Sequence, residues 1–342
     1  MNVSATQTRP PLVTVTSEGI YCPAGGFHID PWRPVARALI THAHGDHARW
    51  GSEHYLGASP SKGLLRKRLG ADADIATLEY GERMTIGEVT VSFHPAGHVL
   101  GSAQIRLEHR GEVWVISGDY KRDADPTCLP FEPVRCDTFI TEATFGLPIY
   151  RWDDTRLVAE DVLRWWKGNG EAGRASVLFC YALGKAQRLL AELGRLTDQE
   201  VLLHGATQAL VEVYREAGVE MIPTRPVSEV EKGKSYAGAL VLAPPSAAGS
   251  TWMRRFEEYE TGFASGWMRV RGNRRRRGYD RGFVLSDHAD WPGLLRTAKE
   301  TGASKVLVTH GSSEILARYL KENLGIDAAP LETHFEGETE DD

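Results

Sequence analysis

The stretch THAHGDH, residues 41–47, decides the fold of this chain and carries its most concentrated chemistry. It holds three imidazoles and one carboxylate, and it directly follows the apolar run RALI at 37–40, which predicts a buried strand. A turn at a strand end can bring such side chains to one point, and neutral imidazole with carboxylate is the ligand set of Zn²⁺ or Mn²⁺. A His-rich polar surface loop is the competing interpretation.

Three more candidate ligands lie further along the chain, each just after an apolar run that predicts a strand. His98 follows EVTVSFHPAG, Asp119 follows EVWVISG, and His310 follows KVLVT. A single His or Asp after a strand is more often a turn or capping residue. Together with residues 41–47, however, these three supply what a centre of two metal ions still needs.

Length and composition exclude several classes of protein. The 342 residues suit about two domains or one large one. Hydrophobic residues make up 42% and charged residues 25%, so the chain is not predicted to be disordered. No apolar run approaches the roughly 20 residues that cross a bilayer, and residues 1–15 show no secretory signal, so we expect a cytoplasmic protein with no membrane contact.

The charge is unevenly distributed. The formal net charge is −6, but residues 332–342 alone hold six acids and no Lys or Arg, so the rest of the chain is neutral. Segment 251–282 contains nine Arg against four acids, a concentration suited to a phosphate backbone. The four cysteines form no CxxC pair, so we expect them to be reduced and buried: Cys22, Cys128, Cys136 and Cys180.

The chain changes pattern twice. Short β-rich runs recur up to about residue 145, whereas residues 150–245 alternate helices with buried strands, which predicts a parallel sheet. After the Arg-rich segment, an apolar strand again ends in a His at 310, as the first block does. The middle block is therefore predicted to be an insertion.

Several motifs together resemble a known family. THAHGDH, AGHVLGSA at 96–103 and SGDYKRD at 117–123 resemble the metal motifs of the metallo-β-lactamase superfamily. GHVLGSA is similar to the form found in its β-CASP nuclease branch. In that branch, ITEATFG resembles acidic motif A, LSDHADW the motif B histidine and VTHG the motif C histidine. The short length and FCYALGKAQRL at 179–189 resemble the small bacterial DNA exonucleases associated with DNA ligases, which are related to SNM1-like nucleases.

The resemblance implies an α/β protein with the metallo-β-lactamase αββα sandwich, two stacked sheets flanked by helices, and a reduced β-CASP-like cap. The domain boundaries that we expect are 1–145 for the first part of the metallo-β-lactamase domain, 146–282 for the inserted cap, 283–331 for the completing part, and 332–342 for an acidic tail.

The resemblance also implies the metal ligands. One divalent ion is held by His42, His44, His98 and Asp119, and a second by Asp46, His47, Asp119 and His310. Two such ions, Zn²⁺ and/or Mn²⁺, can bridge a hydroxide and aim it at phosphorus for an in-line displacement. Asp30, in FHIDPW, is expected to accept an N–H from a ligand histidine, although a simple loop Asp before Pro fits the sequence nearly as well.

The predicted catalytic residues are Asp46, Glu142 and His288. In the family the motif A acid pairs with the motif B histidine, so Glu142 is expected to orient His288. His288 would then contact the scissile phosphate or protonate the leaving oxygen. For Glu142, an ordinary strand-end salt bridge is the competing interpretation.

Two segments are candidate substrate contacts. In SVLFCYALGKAQRLL a strand breaks and a helix starts, so Tyr181 and Lys185 are predicted to bind a DNA phosphate, with a solvated Lys about as plausible. In GWMRVRGNRRRRGYDRG, aromatic residues Trp267 and Tyr279 interleave with arginines, which favours contact with nucleic acid over a solvated loop. The arginines predicted to bind substrate are Arg274, Arg275, Arg276 and Arg277.

The function expected from this resemblance is a metal-dependent DNA phosphodiesterase, a 5′-to-3′ exonuclease of DNA repair. Its partners would be single-stranded DNA or 5′ ends, and by resemblance DNA ligase and helicase repair proteins, with a monomer favoured. One competing function is an RNA-processing nuclease of the same branch, because contacts to the 2′-OH cannot be read from the sequence. A small-substrate metallohydrolase acting on a thioester or lactone, and a non-catalytic scaffold that binds nucleic acid, are less favoured.

Overall fold

The computed structural model describes residues 10–231, 233–270 and 278–333. Its strands form two sheets that contain both antiparallel and parallel pairs, and a third sheet whose pairs are all parallel. The first sheet contains, in spatial order, β1 (Thr14–Val15), β2 (Ile20–Cys22), β3 (Phe27–Ile29), β4 (Arg37–Leu39), β5 (His54–Ala58) and β6 (Ile75–Leu78).

The second sheet combines five strands from residues 84–142 with two strands from residues 305–330. It is therefore complete only when the C-terminal segment pairs with the earlier strands. It contains β7 (Met84–Ile86), β8 (Val89–Pro95), β9 (Ala103–His109), β10 (Glu112–Ile116), β11 (Thr138–Glu142), β18 (Lys305–Thr309) and β19 (Asp327–Pro330), with the order β19-β18-β11-β10-β9-β8-β7.

The third sheet is built from residues 175–283 alone. It contains β12 (Ala175–Phe179), β13 (Val201–Leu203), β14 (Thr224–Pro226), β15 (Leu240–Ala243), β16 (Tyr259–Ala264) and β17 (Arg281–Phe283), with the order β14-β13-β15-β12-β16-β17. The α-helices of the described residues are α1 (Lys62–Leu69), α2 (Thr155–Glu171), α3 (Lys185–Gly194), α4 (Gly205–Glu216), α5 (Trp291–Glu300) and α6 (Ser313–Leu324).

The first two sheets pack face to face over one apolar core. Phe27 and Leu39 of the first sheet are buried in the same cluster as Phe93, Ile105 and Leu107 of the second. Alternation along the strands produces this layer, because every second side chain of a strand points to the same face. On the outer face of the second sheet, residues of α5 and α6 share another buried cluster with β11 and β18.

Helix α1 packs on the outer face of the first sheet. The order of the layers is therefore helix, sheet, sheet, helix. This confirms the predicted α/β class. A local signal starts α5: Asp290 accepts a 2.8 Å hydrogen bond from the amide of Gly293, and Pro292 fits the first turn.

The third sheet lies beside this sandwich and is covered on both faces. Helices α2, α3 and α4 share one buried cluster with its strands, and the second face packs against short 3₁₀ turns. Its central strand β12 is buried at every position, as expected for a parallel strand covered on both sides.

Helix α4 joins the third sheet to the sandwich. Its residues Val213 and Tyr214 belong to the same buried cluster as Leu64 and Leu65 of α1. The Tyr214 hydroxyl accepts a 3.1 Å hydrogen bond from the amide of Leu100, in the loop that carries His98. None of the helices in the described residues is both long and apolar enough to cross a membrane.

Candidate metal centre and active site

The seven predicted metal ligands come from four places where a strand ends. Residues 41–47 follow β4, whereas His98, Asp119 and His310 follow β8, β10 and β18. The structure brings these strand ends to one edge of the sandwich, and the ligand atoms form two adjacent clusters. The clusters are His42, His44, His98 and Asp119, and Asp46, His47 and His310.

In the first cluster, three imidazole nitrogens converge. Nε2 of His42 lies 3.1 Å from Nδ1 of His44, and Nε2 of His98 lies 3.0 Å from that same Nδ1. Oδ2 of Asp119 lies 3.5 Å from Nε2 of His42. All four side chains are mostly or fully buried, so solvent does not separate the groups.

Asp119 also reaches the second cluster. Its Oδ2 lies 3.4 Å from Nε2 of His47, which in turn lies 3.6 Å from Oδ2 of Asp46. His310 completes this cluster, and its ring stacks on that of His47 with 5.3 Å between centroids. One carboxylate therefore serves both groups of ligands.

Asp30 fixes the orientation of His47. Its Oδ2 lies 2.8 Å from Nδ1 of His47, which therefore donates as the N–H tautomer and leaves Nε2 facing Asp119. The same carboxylate accepts 2.8 Å and 2.6 Å hydrogen bonds from the amide and hydroxyl of Thr41. Asp30 has a left-handed backbone, with φ of +43°, and its side chain makes the contact with a candidate ligand histidine that the sequence analysis expects.

The electrostatics keep most of these imidazoles neutral. Burial, reinforced by neighbouring imidazoles, lowers the pKa of His42 and His98 well below the usual range, and burial lowers the pKa of His310 to about 4. A neutral imidazole is the form that binds a metal ion. His47 differs: burial opposes its charge, but the carboxylates of Asp46 and two other acids raise its pKa well above the usual range.

The buried carboxylate of Asp119 has one oxygen that a cation could contact. Within residues 10–231, 233–270 and 278–333, Oδ1 of Asp119 has no hydrogen-bond partner although it is buried. Burial alone would raise the pKa of Asp119, yet His47 and His288 lower it far enough to keep the group ionised. A buried, ionised oxygen among imidazole nitrogens fits a divalent metal ion.

Glu142 and His288 form a buried pair beside the clusters. Nδ1 of His288 lies 3.0 Å from Oε2 of Glu142, and both side chains are 1% exposed. Oε1 of the same carboxylate accepts a 2.8 Å hydrogen bond from the amide of Tyr120. Burial raises the pKa of Glu142, and His288 partly offsets that rise. The ring of His288 lies 4.7 Å from that of His98, at the edge of the first cluster.

The predicted phosphate contacts at the start of α3 are placed differently from the sequence expectation. Lys185 is 1% exposed and its Nζ lies 2.5 Å from Oδ1 of Asp287, so it is a buried ion-pair partner rather than a solvated cation. Tyr181 is also buried, and its ring lies under Nζ of Lys185 at 4.5 Å. The strand β12 and helix α3 do form as predicted, but they turn these side chains inward.

The sequence reasoning missed the residues that link this helix to the metal ligands. Nδ1 of His98 donates a 2.8 Å hydrogen bond to the backbone carbonyl of Asp287. Arg188 donates to the carbonyl of Ser286 at 2.9 Å and forms a buried ion pair with Asp125. Trp152 donates from its indole nitrogen to the carbonyl of His288 at 2.8 Å. In the sequence, the position of Asp287 directly before the predicted catalytic His288 was the one signal that could have pointed to these residues.

The Arg-rich segment is only partly covered by the structure. Arg274, Arg275, Arg276 and Arg277 lie outside the described residues. Tyr279 stacks on Phe263 with 4.9 Å between centroids and an 8° interplanar angle, so one of its faces is already covered. Trp267 packs against Phe145, 4.8 Å away, whose ring lies 5.8 Å from that of His288.

Comparison with known proteins gives two kinds of relative. A probable DNA ligase of Opitutus terrae is 34% identical over 320 residues, covering 91% of this chain and 30% of that protein. The cleavage and polyadenylation specificity factor 73 of Drosophila melanogaster is 28% identical over 52% of this chain and 28% of its own length. An RNase J-like protein of Methanocaldococcus jannaschii is 27% identical over 40% of this chain and 34% of its own length.

The chain thus spans about a third or less of the length of these curated relatives. No family model matches the sequence. Among solved structures, a protein of unknown function from Enterococcus faecalis V583 shares the fold, with a TM-score of 0.54 over 80% of this chain and 74% of that one, at 13% identity.

The αββα sandwich with its clustered strand-end ligands defines a metallo-β-lactamase-fold protein. Its similarity to a polyadenylation factor and to an RNase J-like protein is consistent with the β-CASP branch of the metallo-β-lactamase superfamily, which the motif GHVLGSA also resembles.

Proposed function

We propose that this protein is a metal-dependent nuclease that hydrolyses DNA, as a 5′-to-3′ exonuclease acting in repair. The observation that carries the proposal is the position of Asp119, whose Oδ2 lies within 3.5 Å of histidines from both ligand clusters. A carboxylate shared in this way could hold two metal ions close together, as a two-metal phosphodiesterase needs. We propose Zn²⁺ or Mn²⁺ as the ions, because the donors are imidazoles and carboxylates.

Each side chain then has a role. When bound, two divalent ions supply a nucleophile from water and neutralise charge on the phosphate oxygens. His42, His44, His98 and Asp119 would hold one ion, and Asp46, His47, Asp119 and His310 the other. Asp30 keeps Nε2 of His47 directed at the cluster by accepting the proton on its Nδ1.

His288 is the proposed acid. Glu142 accepts the hydrogen bond of its Nδ1, which leaves Nε2 to face the scissile phosphate or the leaving oxygen. Because Glu142 is buried and bonded to the Tyr120 amide, the pair keeps one orientation. We propose the division at residues 146–282 as an inserted cap, since α2 starts at Thr155 and the third sheet ends at Phe283.

The proposed partner is a DNA ligase. A protein named a probable DNA ligase contains a segment similar to 91% of this chain, which supports cooperation of the two activities on one substrate. The rival is an RNA-processing nuclease, favoured by relatives named as endoribonucleases and as an RNase J-like protein. We place the DNA substrate first because its supporting match covers nearly the whole chain.

The test uses matched single-stranded DNA and RNA oligonucleotides, labelled in turn at the 5′ end, the 3′ end and internally, with Mn²⁺ or Zn²⁺. Early release of the 5′ label from DNA as a mononucleotide supports the proposal. Cuts confined to RNA support the rival. Asp46→Ala and His47→Ala should abolish cleavage while the fold remains, and activity retained in metal-depleted and refilled Asp46→Ala would contradict the ligand assignment.

A further inference from the structure

A buried arginine contacts the backbone of a candidate metal ligand. Arg188 of α3 is 1% exposed, and its guanidinium forms an ion pair with Asp125, whose side chain is 2% exposed. The same carboxylate accepts hydrogen bonds of 2.8 Å and 2.7 Å from the amide and the hydroxyl of Thr127. A buried ion pair is often no more stabilising than apolar side chains of similar volume. Stability alone therefore does not account for a charge at this position.

The other contacts of the guanidinium are carbonyl groups in two separate segments. Nη1 of Arg188 donates a 2.9 Å hydrogen bond to the carbonyl of Ser286, and Nη2 donates a longer one, 3.4 Å, to the carbonyl of His98. The ion pair adds a third segment, because Asp125 lies in the loop after Asp119. The planar guanidinium holds its donors in a fixed arrangement, so one side chain can keep several acceptors in place.

Two of these acceptors flank the bond that orients His98. Nδ1 of His98 donates a 2.8 Å hydrogen bond to the carbonyl of Asp287, which directly follows Ser286. Arg188 thus holds the donor residue by its own carbonyl and the acceptor residue by the carbonyl before it. Nε2 of His98 then lies 3.0 Å from Nδ1 of His44, in the first cluster. The position of this nitrogen therefore depends on a side chain of α3.

The second cluster is supported differently. In the part of the chain that the structure describes, no hydrogen bond or ion pair joins Arg188 to Asp46, His47 or His310. His47 is oriented instead by Asp30, which directly follows β3 of the first sheet. Loss of the arginine should therefore disturb one group of ligands and spare the other.

We propose that Arg188 is a positioning residue for the ion held by the first cluster, His42, His44, His98 and Asp119. It fixes the backbone on both sides of the bond from His98 to Asp287, so the affinity of this ion depends on a helix that packs on the third sheet. Groups that orient metal ligands typically contribute about 10- to 100-fold in metal affinity. The inference deepens the proposed function and rests on its metal centre, not on its substrate.

The test measures Zn²⁺ binding to the metal-depleted full chain by competition with a chromogenic chelator. It compares wild type with Arg188→Met and with the double variant Arg188→Met, Asp125→Asn. The double variant buries neither charge, and asparagine keeps an acceptor oxygen for Thr127. Arg195→Met is the matched control, because Arg195 lies at the end of the same helix, is exposed and pairs with Glu192 at 3.1 Å. His98→Ala identifies which Zn²⁺ equivalent belongs to the first cluster.

We expect that equivalent to bind about 10- to 100-fold more weakly in both Arg188 variants, with a change of less than about threefold in the other equivalent and in the control. Urea unfolding of the same metal-free proteins gives the second readout. The midpoint should fall for Arg188→Met, which leaves the buried Asp125 without its partner, and should largely recover in the double variant. Recovered stability with Zn²⁺ affinity still low separates positioning from charge neutralisation.

Three results would overturn the inference: recovery of both stability and Zn²⁺ affinity in the double variant, equal weakening of the two equivalents, or a wild type that binds no Zn²⁺. A wild type that shows the expected binding pattern yet cleaves neither DNA nor RNA would refute the proposed hydrolysis and leave the role of Arg188 in place.

Discussion

Nδ1 of His98 donates a 2.8 Å hydrogen bond to the backbone carbonyl oxygen of Asp287, 189 positions later in the chain. This bond fixes the tautomer of His98 and directs its Nε2 toward His44 and Asp119. The side chain of the same Asp287 forms a buried ion pair with Lys185 of α3. His98, a candidate metal ligand, is therefore oriented by a residue that is itself held by α3, a helix that packs on the third sheet.

Asp30→Asn should weaken metal binding by about 10- to 100-fold. Asp30 accepts from His47 and twice from Thr41, whereas the asparagine side chain has one acceptor oxygen and would turn its NH₂ toward one of these donors. Competition with a chromogenic chelator measures the Zn²⁺ affinity. Asp74→Asn is the control, because Asp74 contacts His54 at 2.6 Å on the exposed surface. Equal affinities of the two variants would show that Asp30 has no role in metal binding.

His288→Ala should lower kcat by about 10²- to 10⁴-fold, the range for loss of a general acid, with the bound metal unchanged. Glu142→Gln should cause a smaller loss, since glutamine cannot stabilise a charged imidazole but still fills the space of the 3.0 Å contact. Steady-state kinetics and elemental analysis of the same preparations check this. If His288→Ala also loses metal, His288 is a ligand and not an acid.

Lys185→Met should destabilise the protein by about 3–5 kcal/mol, because the fully buried carboxylate of Asp287 would lose its ion-pair partner at 2.5 Å. Lys185→Met combined with Asp287→Leu should recover most of that loss, since neither charge is then buried. Urea unfolding of the single and double variants measures both values. A single variant of normal stability but with a raised KM would instead favour Lys185 as a phosphate contact.

Gly184→Ala should be more destabilising than Gly173→Ala. Both glycines have left-handed backbones, with φ of +89° and +71°, so both substitutions cost about 1–2 kcal/mol in backbone strain. At Gly184 a Cβ would also lie 2.5 Å from Oδ2 of Asp287 and 2.7 Å from Cγ1 of Val99, which adds about 1–3 kcal/mol, whereas no atom lies within 4 Å of a Cβ at Gly173. Thermal or urea unfolding compares the stability of the two variants. Equal losses of stability would show that the loop carrying Asp287 moves readily to make room for the added Cβ.

Much of the architecture could be predicted from residue pattern alone. Period-two apolar runs such as 89–95 indicated strands, and continuous apolar runs such as 175–179 indicated a parallel sheet covered on both faces. The clustering of His42, His44 and His47 in one turn could also be predicted, since a span of six residues cannot separate them far. These features depend on neighbours in sequence, which is why a sequence reveals them.

Only the tertiary structure decided which long-range contacts each polar side chain makes. The turn before α3 suggested an open phosphate site at Lys185. Packing of α3 against the loop that precedes His288 instead buries this lysine, which pairs with Asp287. The bond from His98 to Asp287 and the shared position of Asp119 likewise join strand ends that lie far apart in the chain. Periodicity records which face of an element is apolar, whereas the partner of a buried charge depends on how separate layers meet.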